Sequence, residues 1–143
     1  GSAIAIASGY HLATGKLPLV YLQNSGIGNT INPLLSLADK EVYSIPLILL
    51  IGWRGEPGLR DEPQHLKQGR VTPALLDAME IPYKLITKDL QNSISNTKWA
   101  AELALNSSSP VALLVQKDSF NKHESRNLRV IEKNLLLSRE NAI

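Results

Sequence analysis

Hydrophobic and polar positions fall along this chain in blocks that alternate between helix-like and strand-like patterns. Ala3 to Thr14 is apolar on nearly every face. Its small residues, its length and the stop at Gly15-Lys16-Leu17-Pro18 predict a buried helix with Gly15 as its C-terminal cap. Leu19 to Gln23 reads as a short strand. The turn Ser25-Gly26-Ile27-Gly28 feeds a predicted helix from about Asn29 to Asp39, with Asn29 as its cap and Pro33 in its first turns. Pro46-Leu47-Ile48-Leu49-Leu50-Ile51 has no polar position, the pattern of a strand buried on both faces of a parallel sheet. Beyond it the periodicity stops. From Gly52 to Arg70 turn formers mix with ionisable groups, which predicts a loop of about 18 residues, long enough to suggest function. Pro73 is read as opening a helix through Met79. Tyr83 to Ile86 follows as a strand, Leu90 to Leu105 as an amphipathic helix, and Val111 to Val115 as the last strand. Strands and helices alternating at this spacing predict a three-layer α/β/α fold with a parallel sheet.

Composition narrows this picture. A chain of 143 residues holds one domain with a real core and is too short for two. A net charge of +2, with acids interspersed among the bases, gives no general attraction to nucleic acid or to a membrane surface. The absence of cysteine excludes disulfides and thiolate metal sites. No apolar run approaches the roughly 20 residues of a membrane span, and no secretory leader is visible, so the cytoplasm is the default compartment.

Both ends look cut. Gly1 leads straight into an apolar helix with no strand before it. Asn121 to Arg129 is polar and linker-like, and Ser138-Arg139-Glu140-Asn141 reads as the cap and first turn of another helix, too short to stand alone. The expectation is a partial domain over 1–120, truncated at both ends, with 121–143 forming a linker and the start of a following domain.

Candidate chemistry concentrates where the buried strand ends, since ligands in open α/β sheets bind at the carboxyl ends of strands. The segment after Ile51 sets Arg54, Arg60, Lys67 and Arg70 against Glu56, Asp61 and Glu62, with His65 among them. Such a set can grip an anion through an arginine fork, or its arginines can pair with the neighbouring carboxylates. His65 reads either as a proton-transfer group or as an ordinary loop histidine. The turn from Asn24 to Asn29 lets the backbone approach a ligand, although glycine turns of this kind are more often structural. It is not a dinucleotide fingerprint, having two glycines and no phosphate lysine. Trp53 either packs or lines a pocket. His11 suits a core or interface position, and His123 belongs to the polar linker.

Three stretches, Gln23 to Asn29, Gly52 to Arg70 and Thr72 to Asp77, together resemble the phosphonopyruvate decarboxylases, and the whole run from Ile51 to Leu76 resembles that branch. These are thiamine-diphosphate-dependent enzymes related to sulfopyruvate decarboxylases and acetolactate synthases. The resemblance runs from about Gly1 to Lys117 and is to their pyrimidine-binding domain. It implies a thiamine-diphosphate-binding fold in which Asn24, Ser25, Gly26, Ile27, Gly28 and Asn29 lie beside the cofactor's aminopyrimidine ring. Arg54, Arg60, Gln64, Lys67 and Arg70 would then bind substrate, and His65 would be the catalytic group within this segment. The same resemblance implies that the diphosphate and its Mg²⁺ are held by another domain or subunit, so no metal site is expected here. In relatives the cofactor-activating glutamate sits just before the position of Gly1. The implied reaction converts phosphonopyruvate to phosphonoacetaldehyde and CO₂, in a homo-oligomer that binds neither nucleic acid nor membrane. A sulfopyruvate decarboxylase subunit and a non-catalytic binding or oligomerisation module are the alternatives.

Overall fold

The computed structural model describes residues 1–121. The expected linker beyond Asn121, His123 included, and the helix start expected at Ser138 lie outside the described residues. Four strands form one sheet: β1 (Leu19–Gln23), β2 (Leu47–Gly52), β3 (Tyr83–Ile86) and β4 (Pro110–Val115). They stand in the order β1-β2-β4-β3, and each pair is parallel. β2 and β4 occupy the centre because neither has a polar side to offer water.

Side chains of the central strands alternate between two cores. Leu47, Leu49 and Ile51 of β2, with Ala112 and Leu114 of β4, pack under α1 (Ser2–Thr14), the segment after β1, and α3 (Pro63–Ala78). Ile48, Val111, Leu113 and Val115 face the other way, against Ala100 and Ala104 of α4 (Leu90–Ser107). The result is the expected three-layer sandwich. Asp89 caps α4, its carboxylate accepting from the Asn92 amide at 3.1 Å.

Three expectations change in detail. First, α1 ends as predicted at Gly15, which takes φ 67° and donates to the His11 carbonyl at 2.7 Å. The helix is not buried all round, however. Ile4, Ala7 and Ser8 face the core, while Ile6 and Leu12 are each 72% exposed, because a single sheet face contacts the helix. On the opposite side of the sheet, Leu19 and Tyr21 of edge strand β1 are also uncovered.

Second, the helix expected from Asn29 to Asp39 is a composite. The backbone winds as a 3-10 turn over Asn24–Asn29, then as one α turn, α2 (Ile31–Pro33), then as a π turn over Leu34–Ala38. Winding begins before Asn29 because the buried Asn24 side chain is anchored to a neighbouring segment and fixes where the chain turns.

Third, the long loop is shorter than predicted. Helix α3 starts at Pro63, so His65, Lys67 and Arg70 are helical and the loop spans only Trp53 to Glu62. Pro63 takes the first helical position, where its missing N–H matters least, and Pro73 lies inside the helix. The buried positions of α3 are Gly69, Thr72 and Leu76. They have helical spacing, but only one is a large apolar residue, so hydrophobic periodicity gave no sign of the first two turns.

A candidate anion site at the carboxyl ends of β2 and β4

The strand order puts β4 between β2 and β3. The chain leaves β2 toward α3 on one face and leaves β3 toward α4 on the other, which opens a crevice at their carboxyl ends. Trp53 N–H donates to the Val115 carbonyl at 2.9 Å and Gln116 N–H to Ile86 at 3.0 Å, carrying the ladder one residue past the strands. A cavity of about 350 Å³ lies there. Its charged lining is Arg54, Glu56, Arg60, Asp61 and Lys117, with Trp53 and Leu59 as apolar walls.

The loop that forms this cavity is clamped onto α3. Gly55 takes φ 69°, and a Cβ on it would overlap the His65 carbonyl, while one on Gly69 would overlap the Gly55 carbonyl. Only glycine permits both contacts. Inside the loop, Asp61 collects donors. Arg54 grips it with both prongs, Nε to Oδ2 at 2.9 Å and a terminal nitrogen to Oδ1 at 2.6 Å. The amides of Gly55 and Glu62 donate to it at 2.7 and 2.8 Å, and His65 Nδ1 lies 3.1 Å away. The Arg54 fork, then the Gly55 amide, hold the Asp61 carboxyl far below the ordinary carboxylate range, and the same bond raises the Arg54 guanidinium.

The candidate residues therefore divide. Arg54 lines the cavity with its fork already occupied by Asp61. Arg60 lines the same cavity and forms no ion pair among the described residues. Gln64, Lys67 and Arg70 are exposed along α3 and are not part of its lining. His65 is half-buried and reaches the site only through Asp61. A bonded Nδ1–H would leave Nε2 as the acceptor of the neutral ring.

Within the turn after β1, Asn24 is buried. Its amide donates to the Arg54 carbonyl at 2.8 Å and to Thr72 Oγ1 at 3.0 Å, its oxygen accepts from the Arg54 amide, and Gln68 donates to its carbonyl. Ile27 is buried in the core and Gly26 lies against Leu22. Ser25, Gly28 and Asn29 are exposed, and nothing outside Gly28's own turn lies within 4 Å of where a Cβ on it would stand. A flat ring can lie against that backbone.

Sequence reasoning treated Asp61 and Glu56 only as pairing partners for the arginines and did not single out Gln116 and Lys117. The usable signal for the last two was position, directly after a strand with no polar side. Among the described residues no group of three or more His, Asp or Glu could hold a metal ion, and no helix is long and apolar enough to cross a membrane.

Comparison with known proteins bears on what occupies such a site. Residues 1–81 match the family described as thiamine pyrophosphate enzyme, N-terminal TPP binding domain. A phosphonopyruvate decarboxylase of Streptomyces viridochromogenes is 45% identical over 86 residues, 60% of this chain and 21% of that protein. Its counterpart in Streptomyces hygroscopicus is 43% identical over the same length. The sulfopyruvate decarboxylase subunit alpha of Methanocaldococcus jannaschii is 40% identical over 114 residues, 78% of this chain and 63% of that subunit. The match thus spans about a fifth of the phosphonopyruvate decarboxylases and less than two thirds of the subunit.

Proposed function

The chain belongs to the thiamine pyrophosphate enzymes, whose N-terminal TPP binding domain it matches, and from that premise we propose that it is the pyrimidine-binding part of a decarboxylase acting on a 2-oxo acid with an anionic headgroup. Phosphonopyruvate, giving phosphonoacetaldehyde and CO₂, is the leading substrate. The observation that carries the reading is the cavity beside Arg60 and Lys117, two cations without carboxylate partners among the described residues, at the carboxyl edge of a parallel sheet. Its relatives act, by their names, on phosphonopyruvate or sulfopyruvate, and both acids present an oxyanion headgroup to such cations.

The exposed backbone at Gly28, flanked by Ser25 and Asn29, suits the aminopyrimidine end of thiamine diphosphate. When bound, the cofactor supplies the electron sink into which a 2-oxo acid loses CO₂. Asn24 ties that turn to the backbone of Arg54, so the cofactor turn and the substrate loop are held in one register. Asp61 orients Arg54 and His65, making them positioning residues for the loop, while Arg60 and Lys117 are free to meet the headgroup. We assign the diphosphate and Mg²⁺ to a partner domain or subunit in a cytoplasmic oligomer. The uncovered apolar positions on α1 and β1 support such a partner.

The test is CO₂ release from 3-phosphonopyruvate and from 3-sulfopyruvate by the intact protein with thiamine diphosphate and Mg²⁺. Turnover of neither acid would overturn the proposal. A strong preference for sulfopyruvate would favour the second reading, a sulfopyruvate decarboxylase subunit, which the longer match to the subunit alpha chain supports.

A further inference from the structure

The backbone ladder between β1 and β2 ends at the Gln23–Gly52 pair. Beyond it the two segments part, one into the turn of Asn24–Asn29 and the other into the loop from Trp53. Asn24 supplies the next rung from its side chain. Its Nδ2 donates to the Arg54 carbonyl at 2.8 Å, and its Oδ1 accepts from the Arg54 N–H at 3.1 Å. A side-chain amide that takes both main-chain groups of one residue stands in for a facing strand where the sheet has ended.

That amide is itself braced. Its second N–H goes to Thr72 Oγ1 at 3.0 Å, the Thr72 hydroxyl donates to the Gln68 carbonyl at 2.7 Å, and Gln68 Nε2 donates to the Asn24 carbonyl at 3.0 Å. Asn24 and Thr72 are fully buried, so solvent does not compete for these bonds. Both hydrogens of the Asn24 amide go to protein acceptors, which leaves none to donate to a cofactor or a substrate. Its contribution to the site is geometric.

The two segments it joins carry different halves of the proposed site. The cofactor turn is open at Gly28, and the headgroup cavity begins at Gly52, Trp53 and Arg54. A 2-oxo acid that loses CO₂ has to bring its carbonyl carbon to the cofactor and its headgroup to Arg60 and Lys117 at the same time. In phosphonopyruvate and sulfopyruvate one methylene separates carbonyl and headgroup. A second methylene would displace one end by roughly 1 Å, the scale at which misplacement costs about a hundredfold in rate. A fixed spacing between turn and loop is what converts that difference into selectivity.

We infer that Asn24, braced by Thr72 and Gln68, is a positioning residue that fixes the spacing between the cofactor turn and the headgroup cavity, and that this spacing selects 2-oxo acids by the number of carbons between carbonyl and headgroup. The inference rests on the proposed function for its placement of cofactor and headgroup.

The test compares acids of two lengths in the intact enzyme with thiamine diphosphate and Mg²⁺: 3-phosphonopyruvate against 4-phosphono-2-oxobutyrate, and 3-sulfopyruvate against 4-sulfo-2-oxobutyrate. The ratio of kcat/KM, short acid over long, does not depend on how much of a variant is folded, so a merely structural role for Asn24 would leave it unmoved. Wild type should favour the shorter acid with whichever headgroup it accepts. Asn24→Ala should cut that preference about tenfold. Thr72→Val, which keeps the shape but removes the hydroxyl that braces the Asn24 amide, should cut it about threefold, and Thr72→Ser should restore it. If Asn24→Ala does not fold, the two Thr72 variants decide. A ratio unchanged in every folded variant, or a wild type without preference for length, overturns the inference and leaves the proposed function standing. A wild type that turns over no acid of either headgroup removes the proposed function, and the inference falls with it.

Discussion

The indole N–H of Trp53 donates to the carbonyl of Gly69 at 2.9 Å. That carbonyl is the helical acceptor that Pro73, four residues on and lacking an N–H, leaves without a backbone partner. Trp53→Phe should therefore strand a carbonyl and cost about 1–3 kcal/mol. In a Pro73→Ala background the restored amide can take the bond, and the same substitution should cost about 1 kcal/mol less. Urea unfolding of the four proteins decides this, and simple additivity would show that the two groups do not share the acceptor.

Glycines in the same region should differ sharply in their tolerance of a methyl group. Gly58 has φ 86° with open space around it, so Gly58→Ala should cost only the left-handed backbone penalty, about 1–2 kcal/mol. At Gly55 and Gly69 the added carbon would overlap main-chain carbonyls, which cannot swing aside as a side-chain end can. Each alanine there should cost about 3 kcal/mol or more. Equal urea midpoints for Gly58→Ala and Gly69→Ala would contradict the clamped loop.

Asp61 predicts an acid-sensitive clamp. Its carboxyl titrates lower in the folded chain than in the unfolded one, chiefly through the Arg54 fork. A depressed folded value means that the stabilisation is complete above about pH 4, the unfolded value, and is lost as pH falls through the folded one. The melting-temperature gap between wild type and Asp61→Asn should be smaller below about pH 4 than at about pH 5. A gap that widens from about pH 5 downward would reverse the sign and refute the assignment.

The strands and the layer order were legible because β2 and β4 are apolar throughout, and nothing else in so short a chain can bury them. The start of α3 was not. Its inward face presents Gly69 and Thr72, chosen for close backbone approach and for the bond to Asn24, so it carries no hydrophobic stripe. At the candidate site, charge and strand-end position pointed to the right loop. Which arginine is free depends on Asp61 folding back onto Arg54, and three neighbouring carboxylates were equally eligible in the sequence.

Uncovered apolar surface leads to a prediction about assembly. Ile6 and Leu12 on α1 are 72% exposed and Tyr21 on the edge strand 74% exposed. Large apolar patches of this kind mark interfaces. The chain should sediment as a dimer or larger species at tens of micromolar, and Ile6→Ser with Leu12→Ser should shift it toward monomer while preserving its helical circular dichroism. A monomeric wild type would show that these residues need no partner.

Arg60 should dominate headgroup binding among the basic residues of this region. Arg54 has the same charge, but its fork is committed to Asp61, so Arg54→Ala should weaken the loop and lower activity together with thermal stability. Lys67 and Arg70 point from α3 into solvent and do not line the cavity. A hydrogen bond to a charged group contributes about 1.5–3 kcal/mol, which corresponds to about tenfold or more in affinity. Arg60→Ala in the intact enzyme should therefore raise KM for phosphonopyruvate about tenfold or more, with kcat, thiamine diphosphate affinity and melting temperature little changed. Lys67→Ala and Arg70→Ala should each leave KM within about twofold, as expected for exposed charges outside the cavity. If the largest KM effect came instead from Lys67 or Arg70, the headgroup would lie on the outer face of α3, and the cavity at the carboxyl ends of β2 and β4 would need another ligand.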